Sequence, residues 1–305
     1  EGTAIHDLFK SDRVLIGGED TKSGKKAVRQ LFKIYNRWIP KSKILITNVW
    51  SSELSKLVSN AMLAQRISSI NSISSICEKT GADIEEVSQA VGLDKRIGKR
   101  FLKSSIGFGG SCFKKDILNL VYIAKLYGLN DVADYWESVV KINNYQTLRV
   151  ADKVLESIES NDDNSSITVL GWAFKKDTND SRESASISLT KRLLSKNINI
   201  NIYDPMVESS RIKNDLENIL IENSFNEREI KNILKRVKIF DDLYNSIIHV
   251  SGIVVCTEWD EFNQANWSKI FDKMKSPKCV FDGRNILNIS KLKKIGFKTY
   301  SIGKS

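Results

Sequence analysis

Ser160-Asn161-Asp162-Asp163-Asn164-Ser165-Ser166-Ile167-Thr168-Val169-Leu170-Gly171 is the stretch that decides the architecture. Seven polar residues interrupt a long helical pattern, a short β-prone run follows, and a glycine stops it. Downstream, Ile198–Tyr203, Val250–Cys256, Cys279–Phe281 and Thr299–Ile302 read as further buried strands, with helices near Ser184–Ser195, Glu227–Lys235 and Trp267–Lys275. Strands that alternate with helices build a parallel sheet covered on both faces, so residues 161–305 are expected to form a doubly wound α/β domain.

Upstream of the break, residues 48–160 read as helical. Leu54, Leu57, Ala61 and Ala64 step by three and four in a pattern that lasts to Thr80-Gly81. Asp83-Ile84-Glu85-Glu86 has capping-box spacing and opens a short helix that Gly92 closes. After the loop Ser104–Ser111, residues 112–127 and 131–158 form two more helices. Before residue 48 the order is strand (Arg13–Gly18), helix (Lys25–Trp38, ended by Pro40), strand (Lys43–Thr47). Two strands cannot stand as a domain, so residues 1–47 read as the end of a larger one, and Glu1-Gly2-Thr3-Ala4 as the middle of a longer gene product.

The 305 residues are 41% hydrophobic and 28% charged, which excludes a mainly disordered or collagen-like chain. No apolar run approaches the ~18 residues of a membrane span. The net charge of +10 favours anionic ligands. The basic residues are spread out rather than interleaved with aromatics in a block, so phosphorylated metabolites are expected and nucleic acid is not. Four cysteines without a CxxC pair, beside two histidines, suit neither zinc nor a disulfide framework and imply a cytoplasmic protein with no metal.

Three features carry possible chemistry. Gly107-Phe108-Gly109-Gly110-Ser111-Cys112 puts glycines where backbone N–H groups can meet a ligand, then a cysteine at a helix start, where the helix dipole favours thiolate. Lys115 and Asp116 share that helical face. The segment is either an activated nucleophile with proton-transfer partners or an interhelical loop with a small core thiol. Lys56 and Asn60, four apart, point the same way off their apolar stripe, as a solvated face or as a pair serving a site. Gly171–Ser184 follows the first strand of the α/β domain, where a phosphate-binding turn belongs, and Asp204 ends the next strand, where an acid meets a ribose hydroxyl. Gly18–Lys26 resembles a P-loop but has the wrong spacing, and no GxGxxG occurs anywhere in the chain.

Trp50–Leu57, Gly107–Phe113, Gly171–Ser184, Cys256-Thr257-Glu258-Trp259 and Phe281-Asp282-Gly283-Arg284 together resemble the UDP-glucose/GDP-mannose dehydrogenase family, in particular UDP-glucose 6-dehydrogenases of the eukaryotic type. The resemblance runs along essentially the whole chain. It implies the end of an NAD-binding Rossmann domain (1–47), a helical dimerisation region (48–160) and a Rossmann-like UDP-binding domain (161–305). It also implies NAD as cofactor, UDP-glucose as substrate, UDP-glucuronate as product and a homo-oligomer. By motif, Cys112 is the expected nucleophile, with Lys56, Asn60 and Asp116 as its catalytic partners. Glu1, Arg96, Lys103, Ser105, Ile106, Gly107, Phe108, Gly109, Phe174, Lys175 and Arg284 are the expected substrate contacts, Arg96 reaching a neighbouring subunit. Glu1, Lys115 and Arg182 are expected near the cofactor. These 305 residues, lacking the dinucleotide turn, are expected to bind UDP-sugar without turnover. A dehydrogenase for another nucleotide sugar, or a non-catalytic UDP-sugar-binding or assembly module, would share many of these features.

Overall fold

The computed structural model describes residues 4–158 and 165–304. A short helix α1 (Ala4–Phe9) precedes β1 (Val14–Gly17), α2 (Lys22–Tyr35) and β2 (Ile44–Thr47), with β1 and β2 paired in parallel. The helix α2 starts three residues before the expected Lys25 because the Thr21 hydroxyl accepts the Gly24 N–H at 3.0 Å and so nucleates the first turn.

Next come α3 (Val49–Thr80), α4 (Ile84–Leu93), α5 (Phe113–Leu126) and α6 (Asn130–Ile158). Asn48 caps α3 by accepting the Ser51 N–H at 2.7 Å, and Gly81 ends it at φ +80°. Its buried residues are mostly small, Ala61, Ala64, Ser68, Asn71, Ser74 and Cys77, with Ile70 the large exception. Small side chains let α5 and α6 lie close against it, around a core that includes Ile117, Leu120, Val121, Val139 and Val140. Gly92 does not close α4, as its spacing suggested. It lies inside the last turn, where an added Cβ would sit 3.1 Å from Lys99 Cα, so it serves a close approach instead.

The remainder is β3 (Ser166–Leu170), α7 (Ala185–Leu194), β4 (Asn199–Tyr203), α8 (Ser209–Glu222), α9 (Glu227–Leu234) and β5 (Val237–Phe240), then α10 (Leu243–Ser246) and β6 (Gly252–Val255). It closes with α11 (Asp260–Gln264), α12 (Trp267–Lys273), β7 (Cys279–Asp282), α13 (Ile289–Ile295) and β8 (Lys298–Ser301). The six strands are all parallel in the order β5-β4-β3-β6-β7-β8. This is the doubly wound order of dinucleotide-binding sheets, and its direction reverses between β3 and β6.

The strand β5 escaped the sequence reading because Val237-Lys238-Ile239-Phe240 is an edge strand, half-exposed and without a continuous apolar run. The helix α8 escaped it because its buried Ile212, Leu216 and Leu220 are spaced through a polar segment. Most of the polar break at 160–166 lies outside the described residues. The last turns of α6 (Val150, Ala151, Val154, Leu155, Ile158) are buried in the core of the sheet domain, with Ile158 packed against Gly252 of β6.

Candidate active site

The loop between α4 and α5 and the carboxyl-end loops of β3, β6 and β7 enclose a cleft of about 600 Å³. Lys103, Ser105, Gly107, Phe108, Gly109 and Cys112 come from the first side, and Phe174, Lys175 and Arg284 from the other. The sheet therefore presents the cleft at its switch point, where parallel α/β sheets bind ligands. Arg284 joins three of these loops. Its Nε donates to Cys256 O at 2.6 Å and lies 3.3 Å from Glu258 Oε2, while Nη2 donates to Phe174 O at 2.9 Å. Lys103 and Lys175 have no ion-pair partner among the described residues, so the cleft carries cations suited to a phosphorylated ligand.

Cys112 directly precedes α5 rather than sitting in its first turn; its residue is exposed and its Sγ lies 3.7 Å from Ser111 Oγ. The other three cysteines are buried. The Cys112 carbonyl accepts the Asp116 N–H at 3.0 Å, which sets Asp116 one turn further on. Asp116 is only 1% exposed. Its Oδ2 accepts from Lys56 Nζ and, at 2.6 Å, from Asn60 Nδ2. Lys56 stays half-exposed and Asn60 is partly buried, but the polar ends of both are turned onto Asp116 of α5. Asp116 Oδ1 has no hydrogen-bond partner among the described residues and lies 3.5 Å from Lys115 Nζ. Burial, the largest single influence on this carboxyl, pushes its pKa up. The hydrogen bonds from Lys56 and Asn60 and the charges of Lys56 and Lys115 together outweigh it and hold the group below the ordinary carboxylate value.

The expected residues do not all meet. Lys56, Asn60 and Asp116 form one cluster, joined to Cys112 through its backbone carbonyl, and do not line the first cleft themselves. Lys115 and Arg182 line a second cleft of about 740 Å³, which meets the first at Ser111. Ile106 is wholly buried core; its N–H donates to Gly283 O at 2.7 Å, so it anchors the loop rather than lining it. Arg96 pairs with Asp94 at 2.7 Å on an open surface and lines neither cleft. Glu1 lies outside the described residues. Glu258, Phe101 and Phe113 also line the cleft. Glu258 had a signal in its place just after a strand end, whereas the two aromatics read as ordinary apolar residues.

Asp204 corrects the sequence reading. Its Oδ2 accepts the N–H groups of Trp172 (2.6 Å) and Ala173 (3.0 Å) and the indole N–H of Trp259 (3.1 Å). Its Oδ1 accepts from Met206 N (2.9 Å) and Val207 N (3.0 Å). A buried carboxylate saturated by the chain's own donors has no lone pair left for a ribose. The turn likewise spends its first three N–H groups internally, Gly171 on Tyr203 O (2.8 Å) and Trp172 and Ala173 on Asp204, rather than on a phosphate. Only Phe174 and Lys175, further along the loop, face the cleft.

Among the described residues, no His/Cys/Asp/Glu group could hold a metal ion, and no helix is long and apolar enough to cross a membrane. The family model for the central domain of the UDP-glucose/GDP-mannose dehydrogenases matches residues 50–145, and the model for the UDP-binding domain of the same family matches 168–289. The chain is 51% identical over 311 residues to UDP-glucose 6-dehydrogenase 2 of Arabidopsis thaliana, and 50% over 304 to UDP-glucose 6-dehydrogenase of Drosophila melanogaster. All of this chain is covered in both cases, against 64% and 63% of those proteins, so it spans somewhat under two-thirds of their length. A UDP-glucose dehydrogenase from Pyrobaculum islandicum superposes with a TM-score of 0.79 at 28% identity, covering 100% of this chain and 62% of that one. With the family's central and UDP-binding domains matched in order, and their contact forming the cationic cleft beside Cys112, the chain belongs to the UDP-glucose/GDP-mannose dehydrogenase family.

Proposed function

We propose that these residues form the substrate-binding and thiol-bearing part of a cytoplasmic, homo-oligomeric UDP-glucose 6-dehydrogenase, which oxidises C6 of UDP-glucose to the carboxylate of UDP-glucuronate. The observation that carries the reading is an exposed thiol at the rim of a cationic cleft, one helical turn from a buried carboxylate held by an amine and an amide. Residues 1–47 belong to the dinucleotide domain, 48–160 to the helical region through which copies associate, and 161–305 to the UDP domain. Lys103, Lys175 and Arg284 provide charge for the diphosphate. Ser105 and the Gly107–Gly109 backbone enclose the nucleotide sugar, and Arg96 serves the site of a neighbouring copy.

Two NAD molecules per turnover, bound in succession, would each accept one of the two hydrides that a four-electron oxidation releases. Lys115 and Arg182 fit such a ligand, since they border a second cleft that adjoins the first at the residue before Cys112. The Cys112 thiolate adds to the C6 aldehyde and makes a thiohemiacetal. Once this is oxidised to a thioester, water cleaves the C–S bond, releasing the carboxylate and restoring the thiol. Lys56 and Asn60 stabilise the oxyanion at C6, and Asp116 takes and returns protons.

Two measurements test this. Calorimetry on the chain should show UDP-glucose binding more tightly than GDP-mannose and the N-acetylated UDP-sugars; a preference for one of those reassigns the substrate. UDP-glucose should also slow iodoacetamide alkylation of Cys112, read by mass spectrometry, and these residues alone should not reduce NAD. Binding that leaves Cys112 alkylation unchanged would favour a non-catalytic UDP-sugar module.

A further inference from the structure

The loop from Ser104 to Gly110 has no helix or strand of its own, yet its backbone is fastened almost residue by residue to polar side chains buried between α3 and α6. Asn71 Oδ1 accepts the Ser105 N–H at 2.8 Å, and Gln146 Nε2 donates to Ser105 O at 2.9 Å. Thr147 Oγ1 donates to Ile106 O at 2.9 Å. Asn143 holds Phe108 from both sides: its Oδ1 accepts the Phe108 N–H at 2.8 Å and its Nδ2 donates to Phe108 O at 3.0 Å. Asn71, Asn143, Gln146 and Thr147 are all buried, so water cannot replace these bonds cheaply.

The two helical residues also shape the loop sterically. A Cβ on Gly107, which sits at φ +137°, would come 2.9 Å from Thr147 Oγ1 and 3.1 Å from Asn143 Oδ1. Phe108, whose backbone Asn143 grips, packs edge-on to Phe113 at 5.6 Å between ring centres, and both rings line the first cleft. Cys112 lies four residues after Phe108, on the same stretch of chain.

From this we infer that Asn143, seconded by Thr147, is a positioning residue: it sets the place of the Gly107–Gly110 loop, and through it the affinity of the cleft for the nucleotide sugar. The inference rests on the functional reading above and adds to it the residues that hold the cradle in its binding form before ligand arrives. Neither side chain lines the first cleft, so their effect on the ligand passes through the loop backbone.

The test uses the whole chain and UDP-glucose as probe. Asn143→Leu keeps the side-chain size and removes both hydrogen bonds. It should speed hydrogen exchange at the Phe108 amide and weaken UDP-glucose binding by about tenfold or more, the factor that corresponds to one lost buried hydrogen bond. Thr147→Val, a milder change, should act in the same direction by a smaller factor and keeps the test open where Asn143→Leu folds poorly. The control is Ser68→Ala, which removes a bond to Val139 O (2.8 Å) in the same α3–α6 contact without touching the loop. It should lower Tm while leaving UDP-glucose affinity as in the unchanged chain. Faster exchange in Asn143→Leu and Thr147→Val with unchanged affinity overturns the inference, as does an equal loss of affinity in Ser68→Ala. An unchanged chain that binds no UDP-glucose overturns the functional reading and this inference with it.

Discussion

Replacing Asp204 with alanine removes five hydrogen bonds at once. Three of the stranded donors, Trp172 N–H, Ala173 N–H and the Trp259 indole, belong to buried residues, and a fourth, Val207 N–H, does as well. A buried donor left without a partner costs about 1–3 kcal/mol. Four would cost roughly 4–12 kcal/mol, and some water entry brings the expectation toward the lower end, about 4–6 kcal/mol. That is a large part of the ~5–15 kcal/mol that a domain has. Asp204→Asn is the sharper variant. One amide oxygen can still serve the three donors on Oδ2, but the NH₂ group then faces Met206 and Val207 N–H, for a loss of about 2–4 kcal/mol. Urea unfolding followed by tryptophan fluorescence reads this directly, because Trp172 and Trp259 border the carboxylate. The same variant should bind UDP-glucose with unchanged affinity once folded. A loss below ~1 kcal/mol, or a selective loss of nucleotide binding with full stability, would refute the assignment of Asp204 as an internal plug of the turn.

Three further outcomes are expected. Asp116, with its pKa held below the ordinary 3.8, contributes stability above that value and loses it as pH falls through the lower folded value. Thermal melts of Asp116→Asn should therefore be less acid-sensitive and start lower at neutral pH. Gly109→Ala should cost about 1–3 kcal/mol and weaken UDP-glucose binding, since its Cβ would lie 2.5 Å from Glu183 O and 2.9 Å from Phe174 Cβ; chemical denaturation and calorimetry check both. Glu78→Gln should cost about 3 kcal/mol in urea unfolding. Glu78 accepts from Arg149 (2.5 Å), Tyr300 (2.9 Å) and Gly303 N–H (2.8 Å), and so ties α3 and α6 to the last strand.

The alternation of strands and helices was readable because parallel strands buried on both faces leave continuous apolar runs, as in Gly252–Val255 and in Cys279–Phe281 of β7. The edge strand β5 and the helix α8 were not, since each buries only one side. Cys112 and the glycines before it were legible as a unit because the chemistry is local in sequence. The meeting of Lys56 and Asn60 with Asp116 spans about sixty residues, and spacing alone left their face ambiguous. Asp204 misled because strand-end position was visible while its five partners, scattered from Trp172 to Trp259, were not. Asn143, Gln146 and Thr147 had a signal that went unread: polar residues at helical spacing on the core-facing side of an amphipathic helix.

The helix α6 spans 29 residues, about 43 Å, and is buried in the helical bundle at one end and under the β-sheet at the other. It acts as a single beam beneath both walls of the cleft. Hinge bending between those walls would require breaking a continuous helix inside two cores. A rotation of one wall against the other is therefore opposed by α6 itself.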